Sequence, residues 1–174
     1  MNILKSIAIA AAALTSSVIA APVFASTAGA PQDQCLKPGS DALLKEGCAA
    51  LDDFMRTFNS RDGKAWAATL NFPHVRLAGN QVQVWNTPAE YAASNDVAEL
   101  AKTKGWAYTK WTTRILVQKS DEKLHFTTQF TRYNAQDKPI GTFDSLYILT
   151  KQNGRWGTQF RSSYVGIVGT KTAF

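Results

Sequence analysis

The chain has 174 residues, a formal net charge of +6 from 19 Lys+Arg against 13 Asp+Glu, and 45% hydrophobic residues. It is too apolar and too weakly charged for intrinsic disorder. Its 2 cysteines exclude a disulfide-dense miniprotein and any four-thiolate metal site. The positive charge is scattered, with no basic stripe and no RNA-binding aromatic motif, so nucleic acid is not an expected partner.

The amino terminus reads as a secretory signal. Lys5 supplies the positive region, Ile7 to Leu14 the apolar region, and Val23-Phe24-Ala25 the small residues around a cut after Ala25. Thr15-Ser16-Ser17 and Pro22 interrupt the apolar run, and a spanning helix wants about 20 apolar residues. No cysteine sits directly after the cut, so a lipid anchor is not expected either. Residues 1–25 are read as a signal peptide, 26–39 as a linker and 40–174 as one folded domain. The expected product is exported, periplasmic or secreted, with no stable membrane anchor. In an oxidising compartment Cys35 and Cys48 can pair, and closing so short a loop is worth about 3 kcal/mol in the chain-entropy model. A buried free thiol at Cys48 is the alternative.

Ser40-Asp41 resembles a helix start, and Leu44, Cys48, Leu51, Met55 and Phe58 follow on one helical face. Gly47 is expected to weaken that helix by about 1 kcal/mol relative to Ala. Asp62 caps a shorter helix carrying Trp66 and Leu70. Phe72 to Leu77 and Gln81 to Trp85 read as two short strands. Thr87-Pro88-Ala89-Glu90 is a capping box with proline in the first turn, opening a helix that runs to Gly105. Four long β-rich segments complete the chain: Trp106–Gln118, Leu124–Asn134, Ile140–Lys151 and Trp156–Val168. The last two are joined by Asn153-Gly154, a strong hairpin signal. The expected fold is α+β, with three helices from the amino-terminal half packed on a strongly curved, mostly antiparallel sheet.

Three segments, with this order of elements, carry a family resemblance. They are Phe58-Asn59-Ser60-Arg61-Asp62 between the first two helices, Phe72-Pro73-His74-Val75 opening the first strand, and Asn153-Gly154-Arg155-Trp156 at the last hairpin. Over roughly residues 41–168 the chain resembles the nuclear transport factor 2-like superfamily, which includes ketosteroid isomerase-like and SnoaL-like proteins. The resemblance implies a cone-shaped α+β barrel around a pocket, and often a homodimer formed through the sheet. It does not fix a function. Isomerases of this kind use an acid near the end of the first strand; here that stretch is Val75-Arg76-Leu77-Ala78-Gly79, without one.

Asp144 is the single acid in mid-strand and shares a face with Thr142, Leu146 and Ile148. It is a candidate acid/base group or the ion-pair partner of a nearby arginine. His74, at the expected pocket mouth, is a candidate general acid/base or a histidine satisfying local backbone. His125 lies on a polar strand face that is either solvent or pocket. Arg76, Arg114, Arg132 and Arg161 all fall in strands, where arginine is unusual unless paired or at an edge. Arg161 and Ser163 share a face with Gln159. If that face is concave, Arg161 suits a carboxylate or other planar anion; the alternative is a structural pair with Asp144. Tyr91 and other aromatics can line an apolar cavity. No metal site, phosphate loop or dinucleotide fingerprint is present, so no cofactor is expected.

Three functions remain open. The first is a module binding a small, partly apolar, anionic ligand. The second is a cofactor-independent isomerase, cyclase or dehydratase using His74 or Asp144. The third is a dimeric interaction protein with a filled cavity.

Overall fold

The structure, a computed structural model, describes residues 32–164 and the short segments 167–168 and 171–172. The expected signal peptide and the linker up to residue 31 lie outside the described residues. Among those described, no helix is long and apolar enough to cross a membrane.

The first long helix, α1 (Ala42–Asn59), starts where Asp41 accepts a hydrogen bond from the Leu44 backbone at 3.1 Å. Its expected apolar face is buried throughout, widened by Gly47, Phe54 and Thr57. Helix α2 (Gly63–Ala67) is capped by Asp62, which accepts from the backbone of Lys64 and Ala65. Leu70, expected on this helix, instead opens strand β1 (Leu70–Ala78), because α2 stops after a single turn. Thr69 Oγ1 returns a bond to the Trp66 carbonyl at 2.7 Å as the chain leaves the helix. Strand β2 (Gln81–Trp85) follows.

The third expected helix is in fact two, α3 (Pro88–Ser94) and α4 (Val97–Lys104). The capping box forms at the start, with Glu90 N bonded to Thr87 Oγ1 and the Glu90 carboxylate reaching Asn86 N. At Asn95 the amide side chain donates to the Tyr91 carbonyl at 2.8 Å, and Asp96 then caps a new helix through Ala98 N and Glu99 N. A polar side chain takes over the backbone partner, and the next residue is itself a good start.

The remaining chain forms β3 (Tyr108–Lys119), β4 (Lys123–Tyr133), β5 (Pro139–Gln152) and β6 (Arg155–Ser163), with a separate small pair, β7 (Ile167–Val168) and β8 (Lys171–Thr172). The main sheet has the order β2-β1-β6-β5-β4-β3, with β1 parallel to β6 and every other pair antiparallel. Register shifts interrupt the β1–β6, β3–β4, β4–β5 and β5–β6 ladders. Each such bulge adds twist and bend, which curls the sheet around its helices. The Asn153-Gly154 turn has positive φ at both residues, 52° and 77°, as a two-residue hairpin requires.

The segment just before α1 folds against the sheet. Cys35 and Cys48 form a disulfide. Asp33 pairs with Arg114 at 2.9 Å, Asp52 joins the same guanidinium, and the Gln34 side chain accepts from Leu116 N on the edge strand β3. The carboxyl half of the expected linker is therefore a strap covering a sheet edge.

Gly47 departs from its expected role. A β-carbon there would meet Leu124 and Phe126 side chains at 2.8 Å, and both are fully buried. Its absence of side chain is what lets α1 lie on β4, a benefit that outweighs helix propensity. Gly47→Ala is expected to destabilise the protein by about 1–3 kcal/mol through overpacking, measured by chemical denaturation; a gain in stability would reverse this reading.

Candidate functional site

Between the inner face of the sheet and helices α1 and α2 lies a narrow cavity of ≈ 30 Å³. That is room for about two waters as it stands. Phe54, Met55 and Phe58 of α1, Trp66 of α2, and Phe130 and Tyr147 of the sheet give it aromatic and aliphatic walls. Its polar groups are Thr109, Ser163 and three guanidinium side chains, those of Arg76, Arg132 and Arg161. Among the described residues, no Asp or Glu lines it.

The sheet register explains the convergence. Arg76 on β1 and Arg161 on β6 are direct partners across the parallel pair, and Tyr147 on β5 stands opposite Arg161 on the other side. Arg132 enters from β4. The three arginines are 2%, 7% and 6% exposed in chain order. The Arg161 guanidinium lies 5.4 Å from the ring centres of both Phe54 and Trp66, and its Nη2 donates to Tyr91 Oη at 2.8 Å. Arg132 sits over Phe143 at 5.3 Å and Phe130 at 5.9 Å. Cation–π contacts of this kind offset part of the desolvation of a buried cation. The Nε atoms of Arg132 and Arg161 and the Ser163 hydroxyl have no hydrogen-bond partner.

Burial, followed by the Arg161 charge, pushes Arg76 down to about 9. Burial likewise lowers Arg132 to about 10, with Arg161 adding to the shift. Burial raises Tyr91 to about 12, so its hydroxyl stays neutral and accepts from Arg161. Arg114 is the instructive contrast. It is equally buried at 4%, yet two carboxylates, Asp33 and Asp52, face it. Two acids face Arg114, whereas among the described residues no acid lines the cavity.

The other expected site residues fall elsewhere. Asp144 is exposed on the outer face of β5, hydrogen-bonded by Gln129 Nε2 at 3.0 Å, while its neighbours Phe143 and Ser145 point inward. The expected Asp144–Arg161 pair does not form, because Arg161 registers with Tyr147. His125 also lies on the outer face, between the buried Leu124 and Phe126 and opposite Ile148. Gln159 does not share the face of Arg161. The β5–β6 register shifts between Ile148 and Leu149, and Gln159 accepts instead from Thr150 Oγ1 at 2.7 Å. Ser163 does line the cavity, and Tyr91 backs it through Arg161.

His74 is fully buried but does not line the cavity. Its Nδ1 donates to the Thr158 carbonyl at 3.1 Å, and its ring stacks on Trp85 and meets Tyr91 edge-on. Burial first, then the Arg161 and Arg76 charges, drive it down to about 3. It is a neutral packing residue near neutral pH rather than a proton donor. Arg76 and Arg132, noted in the sequence as unusual strand arginines but not as site residues, join Arg161 at the cavity. The available signal was the rarity of arginine inside strands.

The profile of a family described as NTF2-like protein (DUF6841) matches residues 46–158. Among solved structures, a protein of unknown function with a cystatin-like fold from Nostoc punctiforme is 17% identical, covering 71% of this chain and 92% of its own, with a TM-score of 0.58. An NTF2-like protein with a cystatin-like fold from Novosphingobium aromaticivorans is 9% identical, covering 69% and 79%, at 0.57. A ketosteroid isomerase-like protein from Erwinia carotovora atroseptica is 21% identical, covering 72% and 97%, at 0.55. These likenesses establish the fold alone. No curated protein matches the chain in sequence. Among the described residues, no group of three or more His, Cys, Asp or Glu is placed to hold a metal ion.

The His74 environment sets a pH dependence. Its folded value of about 3 lies below the ordinary 6.5, so the unfolded chain binds the extra proton between those values. Stability is therefore complete above pH 6.5 and falls as the pH drops. By linkage the loss is about 2–3 kcal/mol between pH 6.5 and 4.5. Urea titrations at both pH values on wild type and His74→Asn test this: the variant is less stable at neutral pH but loses this part of the slope. An unchanged slope would remove His74 from the account.

Proposed function

The chain belongs to the NTF2-like family, and from that premise we propose that it binds a small organic anion in the arginine cavity. The observation that carries the reading is the convergence of three buried guanidiniums on one aromatic-walled space with no acid among its described lining residues. Like charges brought together out of water repel, and an anion placed among them turns that cost into attraction. Two unpartnered guanidinium N–H groups and the Ser163 hydroxyl supply donors for it. The aromatic walls favour an apolar body attached to the charge. A carboxylate on a compact hydrocarbon meets both requirements, whereas an inorganic oxyanion meets one.

Chemistry is supported less well. A proton-transferring isomerase or dehydratase needs a group that titrates near its working pH and touches the substrate. Asp144 is on the far side of the sheet, and His74 is held neutral outside the lining. The reading is therefore one of capture rather than turnover.

Thermal unfolding of the protein with benzoate, acetate, sulfate and neutral benzamide tests this. Benzoate at 100 times its dissociation constant should add about 2.7 kcal/mol, a rise of several degrees. Benzamide should give none and sulfate less. Arg132→Met should keep or raise the stability of the unliganded protein, since it removes an unpaired buried charge, and should abolish the benzoate shift. An equal shift from benzamide, or an intact shift in the variant, would sink the proposal.

We further propose an exported homodimer. The disulfide agrees with an oxidising compartment. On the outer face of the sheet, Val84, Val75, Phe160 and Ile148 form one cross-strand row, and Val82, Leu77 and Leu146 lie in the next. Val82 and Val84 are 64% and 54% exposed. A second copy of the same face is the self-complementary cover. Light scattering and intact mass on protein from its native host read both expectations: a dimer of chains beginning at Ser26, converted to monomer by Phe160→Glu. A monomer in the wild type, or residues 1–25 still attached, would refute the corresponding part.

A further inference from the structure

The walls of the arginine cavity are mostly buried. Met55 is 8% exposed, and Phe54, Phe58, Trp66, Thr109 and Tyr147 are less so. At ≈ 30 Å³ the space is smaller than an organic anion, so a ligand must displace part of the lining to be held. Two lining residues, Met55 and Thr109, also line a second hollow of ≈ 370 Å³ on the outer surface. Its other walls include Asp52, Arg56 and Asn59 of α1, Lys110, Trp111 and Arg114 of β3, and Asp33 and Leu36 of the strap. A larger hollow of ≈ 700 Å³ between α2 and α3 shares no lining residue with the cavity. Groove and cavity are thus separated by one layer of side chain, at Met55 and Thr109.

The two residues of that layer differ in how they are held. Thr109 is pinned on three sides. Its hydroxyl accepts from Trp106 Nε1 at 2.8 Å, its carbonyl accepts from Asn59 Nδ2 at 2.8 Å, and its N–H donates to Asn59 Oδ1 at 2.9 Å. Met55 is an unbranched thioether on a helix, with no polar tie and several soft torsions. If the layer opens, Met55 is the part that moves. The charges on the groove side are largely paired, Arg114 with Asp33 and Asp52 and Arg56 with Asp53, which leaves Lys110 as a further cation in its lining. The unopened cavity, at ≈ 30 Å³, holds a carboxylate head but no ring unless a wall side chain gives way.

We propose that Met55 is the gate between the outer groove and the arginine cavity, and that its side chain sets the size of anion admitted. This rests on the cavity being the ligand site. It assigns Met55 a positioning and selecting role, with the strap and β3 forming the rim of the entry path.

Stopped-flow tryptophan fluorescence on the full chain tests it, with acetate and benzoate as probes and Trp66 on the wall as reporter. Met55→Ala should raise the association rate of benzoate by about tenfold or more and that of acetate by no more than about twofold, against the usual pattern in which site substitutions act on dissociation. A second variant guards against misfolding of the first. Both native cysteines are in the disulfide, so Met55→Cys introduces a single thiol. Labelling it with a bulky maleimide should slow entry of both probes at least about tenfold, while the affinity for acetate changes far less. Changed dissociation rates with unchanged association rates in both variants would make Met55 an ordinary wall residue and overturn the gate alone. Failure of both probes to bind the wild type would overturn the cavity reading and the gate with it.

Discussion

The parallel pairing of β1 with β6 is the constraint on which the rest depends. It joins segments far apart in sequence and sets Arg76 opposite Arg161 on the concave side of the sheet. Once that register is fixed, Tyr147 and Arg132 arrive from the next two strands, and their side chains meet in the gap under α1 and α2. Two like charges directly across a ladder are unfavourable, and burial makes them more so. The fold tolerates them through the Phe54 and Trp66 faces, the Tyr91 hydroxyl, and a depressed basicity at Arg76 and Arg132. A core built for stability alone would place apolar residues at these positions. The strain is local, and it is of the sign that an anion relieves.

The same molecule shows the other way to bury an arginine. Arg114 on β3 is enclosed by Asp33 and Asp52, so its charge is neutralised within the chain. That ion pair, the Cys35–Cys48 disulfide and the Gln34 bond to Leu116 hold the strap across the edge of the sheet. Removing one partner of such a buried pair leaves an uncompensated charge, which costs far more than the intact pair contributes. The strap therefore depends on all three ties together. Through Asp33 and Leu36 it also shapes the groove outside Met55. With Met55 as the proposed gate, edge protection and access to the cavity would be linked.

What the sequence disclosed divides along physical lines. The α1 face, the Asp41, Asp62 and Thr87 caps and the Asn153-Gly154 turn are local matters, and they were legible. The break at Asn95 was missed because an asparagine in a helical pattern reads as a weak helix former until its amide is seen to take the Tyr91 carbonyl. Strand parity correctly grouped Asp144 with Leu146 and Ile148, but an apolar face was taken to be the inner one. Both faces of this sheet carry apolar rows, and only helix packing decides which is covered. Gln159 was misplaced for a different reason, since a bulge in the β5–β6 ladder reverses parity and leaves no mark in the sequence. Arg161 and Ser163 lie beyond that bulge, and their shared face proved to be the cavity side.

The titration pattern bears on capture against turnover. His74, at about 3, stays neutral until strongly acidic pH, and Arg76 and Arg132, at about 9 and 10, stay charged until alkaline pH. Tyr91, at about 12, keeps its proton well beyond that. His74 and Tyr91 have thus been moved outward from the middle of the pH scale, while Arg76 and Arg132, though lowered, still lie above it, so none of the four titrates where a catalytic acid or base works. A fixed cationic charge across that middle range serves retention of an anion at constant affinity. Any pH dependence of binding there would then reflect protonation of the ligand, and a carboxylate is ionised throughout it.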